Sequence, residues 1–242
     1  MAESLRPASG PPLPIRSEAF LVVCAVAGAL AVPAHVIATP ISAIVAGLMA
    51  LVGIRVWRWS RLADIVGADV SRRVGRLALP ALWLSVGLVV GLILLGAIRI
   101  VIEPAIPSAG ARIETAGALP LWRRVAIIYV AAVGEELVFR MFLLSLAAGL
   151  GARLFRSNDQ MPSPRILWSA NLLAALAFAA AHLPAWNAVG PLGLGTTVVV
   201  LGLNGFGGLI LGYAFVRHGI IAAIWAHAGA DCAILLIGPL TH

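Results

Sequence analysis

Hydrophobic runs of about 20 residues recur along nearly the whole sequence, each long enough to cross a bilayer core of roughly 30 Å as a helix. They begin near Ala19, Ile37, Pro80, Leu121, Ile166, Leu192 and Ile220. The runs are continuous rather than alternating, and Ala, Leu and Gly dominate them. That pattern argues for helices and against barrel strands. Of 242 residues, 61% are hydrophobic and 11% are charged, against about 25% charged in a soluble chain. The expected fold is an all-α polytopic membrane protein with about seven transmembrane helices; an eight-segment variant stays open.

The net charge is +7, and every one of the 17 basic residues is an arginine. Arg55, Arg58, Arg61, Arg72, Arg73 and Arg76 follow the second run. Arg153, Arg156 and Arg165 follow the fourth, and Arg217 follows the sixth. Seven spans starting inside put these three connections on one face, which the positive-inside rule makes cytoplasmic. Arg123 and Arg124 are the exception. The basic excess therefore reflects topology and implies no nucleic-acid partner; the lipid bilayer is the expected surrounding. Arginine without lysine, with so much Ala, Gly and Leu, suggests a GC-rich bacterial genome and hence a bacterial inner membrane.

Residues 1–17 are polar and Pro-rich, with Arg6 and Arg16, and read as a disordered cytoplasmic tail. Glu3 and Glu18 in the leading region favour an uncleaved first helix over a signal peptide. Residues 18–119 are expected to hold the N-terminal transmembrane helices and an Arg-rich loop, with Trp57 and Trp59 as interfacial anchors. Residues 103–119 read as a loop, and Pro184 is expected to end the fifth span. Cys24 and Cys232 are isolated and read as small buried hydrophobes. The stretch "GGLILG" has small residues three and four apart, a spacing that lets helix backbones approach closely.

Residues 120–238 carry the chemistry. "AVGEELVFRMF", residues 132–142, sets Glu135, Glu136 and Arg140 inside an apolar span. A charge at a helix centre costs about 2.5–3.5 kcal/mol on insertion scales, so such groups are functional-site candidates by default. His182, His227 and Asp231 are the others, and six groups on three helices suggest one shared polar pocket. His35 and Arg99 lie near span ends, where they can snorkel. Glu136 and Arg140 are four apart and can pair on one face, while Glu135 is turned about 100° away. His227 and Asp231 share a face by the same spacing, as do Phe178 and His182. A carboxylate in a dry pocket with two imidazoles suggests water activation, with the imidazoles and Asp231 as hydrogen-bond donors to an oxyanion. No G-x-S-x-G or H-E-x-x-H occurs. Glu, His and Asp are all zinc ligands, so composition leaves a metal site open.

The motifs in order resemble a known set. "EELVFR" matches E-E-x-x-x-R, "FAAAH" matches F-x-x-x-H, and "FGGLILGYAFVRHGIIAAIWAHAGAD" resembles a Gly-rich helix, a turn, and a helix ending in H-x-x-x-N or H-x-x-x-D. Together they resemble the CPBP family, the CAAX protease and bacteriocin-processing intramembrane endopeptidases, also called the Abi family. The resemblance spans about residues 120–238. It implies a multi-pass helical protease. Members were first labelled metalloproteases and later regarded as glutamate-dependent; the glutamate reading without a cofactor is the one expected here, with zinc left open. By position, Glu135 would be the general base, and Glu136 and Arg140 would support it. His182, His227 and Asp231 would polarise the scissile carbonyl, and Phe178 would pack beside the site against substrate. Many members have asparagine where this chain has Asp231; an ionised aspartate cannot donate to an oxyanion. Eukaryotic members remove the last three residues of prenylated CAAX proteins. A bacterial member is expected to act on peptides or membrane proteins instead.

Two other functions fit the same residues. Chains of Glu, His and Asp in membranes serve transporters and proton relays, although no second half mirrors the first here. A non-catalytic immunity or scaffold protein would keep the pocket for structure alone. Depth raises a further question. His182 lies 17 residues past Arg165, and His227 lies 10 past Arg217. Straight helices rising about 1.5 Å per residue do not bring such positions level, so bent or displaced helices are required.

Overall fold

The computed structural model describes residues 15–31, 38–65, 78–155, 158–187 and 191–241. Residues 1–14 of the expected tail, His35, Arg72, Arg73, Arg76 and Arg156 lie outside the described residues. Every element among the described residues is helical. Lipid offers the backbone no hydrogen-bond partners, so helices, which satisfy their own amides, are what such apolar runs can form there.

The chain opens with α1 (Ile15–Ala31) and α2 (Ala38–Trp59). Helix α3 (Ala78–Gly96) continues through a π-helical stretch, Ala97–Ile102. The short helix α4 (Ser108–Gly117) follows. Helix α5 (Leu121–Glu136), a π-helical stretch (Leu137–Leu144) and α6 (Ser145–Leu154) form one continuous path. Then come α7 (Pro164–Asn187), α8 (Leu194–His218) and α9 (Ile220–Cys232), the last extended by a π turn, Ala233–Ile237. Among the described residues four stretches are long and apolar enough to cross a membrane: Ala78–Ile102, Pro164–Asn187, Leu194–His218 and Ile220–Leu240. Their outer faces carry exposed Ile93, Ile100, Leu172, Leu173, Leu176 and Val198. In water such a surface would be costly; in lipid it is the expected lining.

Three expectations are corrected. The segment read as a loop after α3 contains α4. Pro184 lies inside α7, which runs on to Asn187. Proline removes one amide donor and crowds the carbonyl four residues back, and this close to a helix end only the last turn is affected. Trp57 is buried in the core, not at an interface; Trp59 is the exposed one. The Arg153 guanidinium lies 3.8 Å from the Trp59 ring centre and donates to the Trp59 carbonyl. Cys24 and Cys232 are free and half-buried.

Close approach between helices positions the site. Between helices in lipid there is no hydrophobic drive, so packing of small residues takes over. A Cβ on Gly87 of α3 would collide with the Ala226 carbonyl of α9, and one on Gly229 of α9 would collide with the Leu84 carbonyl of α3. Residues 226, 229, 230 and 233 therefore form the α3-facing stripe. His227 and Asp231 are each rotated about 100° from it, toward the interior. Helix α8 packs on α7 the same way: Gly208 sits against Ala175, and Gly212 against the Asn171 carboxamide. Asn171 Nδ2 also donates to the Leu209 carbonyl at 3.1 Å. Between α8 and α9, Gly219 has φ 88°, a conformation that glycine enters without a Cβ penalty. Behind α5, Leu137, Met141 and Leu144 are buried together with Ala50 and Ile54 of α2.

Gly87→Leu is expected to be destabilising, because overpacking costs about 1–3 kcal/mol or more and the obstacle is backbone. Gly202→Ala, with open space at its Cβ position, is expected to be neutral or slightly stabilising. Thermal unfolding in detergent, followed by circular dichroism, compares the two.

Candidate active site

A buried ionic centre organises the site. Glu136 ends α5, and Arg140 lies in the π-helical stretch after it; both are fully buried. A buried ion is costly unless paired and hydrogen-bonded. Glu136 Oε2 lies 3.2 Å from Arg140 Nε, and Glu136 Oε1 accepts from His227 Nδ1 at 2.9 Å. Arg140 Nη2 donates to the Gly208 carbonyl at 3.0 Å. Its guanidinium carbon lies 4.6 Å from the Phe178 ring centre, a cation–π contact that helps to solvate the charge. One carboxylate and one guanidinium thus tie the α5 path to α7, α8 and α9.

Glu135 points elsewhere. Its Oε2 lies 3.9 Å from His182 Nε2 and 3.9 Å from His227 Nε2. That oxygen is buried and has no hydrogen-bond partner. His182 Nδ1 lies 2.8 Å from the Phe178 carbonyl. A carbonyl only accepts, so this nitrogen carries the proton. His227 Nδ1 donates to Glu136 in the same way. In neutral form each imidazole therefore turns an accepting Nε2 toward Glu135, and each donates there only as an imidazolium. Asp231 Oδ2 stands 3.7 Å from His227 Nε2. The Phe178 ring packs 4.6 Å from the His182 ring and 5.7 Å from the His227 ring, and is itself braced edge-on by Phe139 at 5.4 Å.

Glu135, Phe178, His182, His227 and Asp231 line one cavity of about 440 Å³ with mainly apolar walls, including Ile98, Ile113, Leu203 and Leu211. The six ionisable groups do not all share this pocket. Glu136 and Arg140 stand behind the wall, ion-paired with each other and bonded to His227 and Gly208, although Glu136 Oε2 and Arg140 Nε and Nη1 themselves make no hydrogen bond. Arg99, expected to snorkel, bonds Glu103 at 2.9 Å and the Gly238 carbonyl at 3.1 Å. Four polar or aromatic lining residues were missed: Arg112, Thr115, Trp186 and Asn204. Trp186 is four residues past His182, so its face was legible; Asn204 is a polar residue within an apolar run. Arg112 gave no local signal, since its place depends on how α4 docks. Among the described residues, no group of three or more His, Cys, Asp or Glu side chains is placed to hold one metal ion.

The two carboxylates, the two imidazoles and their order in the chain invite comparison with known proteins. Residues 117–233 match the family described as type II CAAX prenyl endopeptidase Rce1-like. This segment is similar to that family. The match covers α5 to α9 and all seven motif residues named above. No curated protein and no solved structure matches the chain. The similarity suggests a CAAX endopeptidase-like protease, and with the apolar helices it suggests a multi-pass membrane protein.

Arg140→Met is expected to lower stability by about 3–5 kcal/mol, the cost of stranding a buried partner charge. Adding Glu136→Gln to it is expected to restore part of that loss. Denaturant unfolding of the purified single and double variants measures both, as a double-mutant cycle.

Proposed function

We propose that the protein is an intramembrane endopeptidase in which Glu135 activates water for attack on a peptide bond. The observation that carries this reading is Glu135 Oε2: buried, without a hydrogen-bond partner, and 3.9 Å from each of two imidazoles on a cavity wall. A water bound there gives its proton to Glu135 as its oxygen attacks the carbonyl carbon. The tetrahedral oxyanion collapses, and the proton held on Glu135 passes to the leaving amine.

The two histidines take different parts. His182 has its Nδ1–H bound to a backbone carbonyl, so its Nε2 accepts from the attacking water and orients it. His227 faces Glu136, Asp231 and Glu135, surroundings suited to an imidazolium. In that form its Nε2–H stabilises the oxyanion. Asp231 joins it as a donor when protonated. Glu136 and Arg140 hold the His227 ring in place without touching substrate. The sequence of proton transfers uses only these side chains and water, so the reading is of a glutamic protease with no cofactor. The substrate class that fits the apolar cavity is a membrane-associated peptide or protein segment, in a bacterial inner membrane.

Glu135→Gln keeps shape but cannot accept the proton, and is expected to lower cleavage by about 10²–10⁴-fold, the usual contribution of a general base. Comparing membrane-peptide pools from cells carrying wild-type and Glu135→Gln protein tests this. A fragment present only with wild type identifies activity and substrate together, and identical pools count against the proposal. Chelator treatment of the purified protein is expected to leave cleavage unchanged; a stoichiometric zinc whose removal stops cleavage would replace the glutamate mechanism.

A further inference from the structure

Among the described residues, one guanidinium lines the cavity: that of Arg112 on α4. Helix α4 also contributes Ala109, Ile113, Ala116 and Thr115 to the wall; the Thr115 hydroxyl is spent on the Ala111 carbonyl, so Arg112 sits in largely apolar company. Its Nη1 donates to the Ala185 carbonyl at 2.8 Å, and its guanidinium carbon lies 5.3 Å from the Trp186 ring centre. Those contacts fix the plane of the group and leave the Nε and Nη2 edge over for something else. The ion pairs of the described residues do not include Arg112. Burial pushes its pKa below the ordinary guanidinium value, with no carboxylate acting against it. It nevertheless stays charged, as arginine does in proteins.

We infer that Arg112 is a carboxylate-binding subsite, which holds an anionic group of the substrate a few residues from the bond that is cut. This rests on the proteolytic reading above. A pre-oriented guanidinium edge is the protein group best matched to a planar carboxylate, which it binds through two parallel hydrogen bonds. The spacing suits a peptide. Trp186 follows His182 by four residues on α7, about 6 Å along the helix axis. An extended chain covers about 3.3 Å per residue, so a carboxylate at Arg112 lies roughly two to four residues from a carbonyl beside His182. The carboxylate can be the substrate's own C-terminus or the side chain of an Asp or Glu.

Binding to Glu135→Gln protein in detergent, read by fluorescence polarisation, tests this. The probes are three labelled apolar pentapeptides of one sequence: one with a free C-terminal carboxylate, one amidated, and one amidated with glutamate as the last residue. The free acid is expected to bind about tenfold tighter than the plain amide, a modest value for a charge-assisted pair. If the glutamate peptide regains that affinity, a side-chain carboxylate serves; if it does not, the subsite reads the chain terminus. Arg112→Gln, which keeps a donor for the Ala185 carbonyl, is expected to abolish the preference. Equal binding of all three probes, or a preference that survives Arg112→Gln, overturns the inference. Cleavage by the wild type is measured separately. Preferential binding without any cleavage removes the protease reading and keeps the subsite, whereas cleavage without preference removes the subsite alone.

Discussion

A fully buried carboxylate, that of Glu136, is the constraint around which the rest is arranged. Its charge is tolerable only because Arg140 and His227 reach it from two directions. Removing either would strand an ion in a medium that cannot solvate it. The same bonds fix the His227 ring, whose other nitrogen faces the cavity. Stability and site geometry are therefore one problem in this molecule: the network that holds the helices together also aims the imidazole.

Glycine makes that arrangement reachable. Arg140 reaches a backbone carbonyl on α8 because Gly208 lets α8 lie close to α7. His227 reaches Glu136 because α9 is pressed against α3 through Gly87 and Gly229. Small residues thus set the distances over which the polar groups act. The π-helical stretches belong to the same economy of fit. Two of the three among the described residues begin one residue after Glu136 and two after Asp231, where a widened turn re-aims neighbouring side chains, as π-bulges at functional sites often do.

Local rules made part of this visible in the sequence. The apolar runs announced helices, and four-residue spacing announced the Glu136–Arg140 pair and the shared face of His227 and Asp231. The 100° offset between adjacent residues separated Glu135 from Glu136. Nonlocal geometry was not visible. Periodicity says which residues share a face, not how deep a neighbouring helix sits. Nothing in the sequence indicated that His182 and His227 would stand equally far from one oxygen. Helix α4 was read as a loop because its ten residues mix Gly and Ala with polar groups, and with it Arg112 was lost. Trp57 was misplaced because tryptophan near a span end suits both an interface and a core, and only packing decides between them.

The adjacency of the two glutamates has a consequence for how such a chain can evolve. Deleting any one residue from 137–139 would set Glu135, not Glu136, four places before Arg140. The clamped position would still be filled by an acid, but the position facing the cavity would fall to Gly134, which has no side chain. A lineage can therefore exchange residue types in this stretch far more readily than it can change the stretch's length.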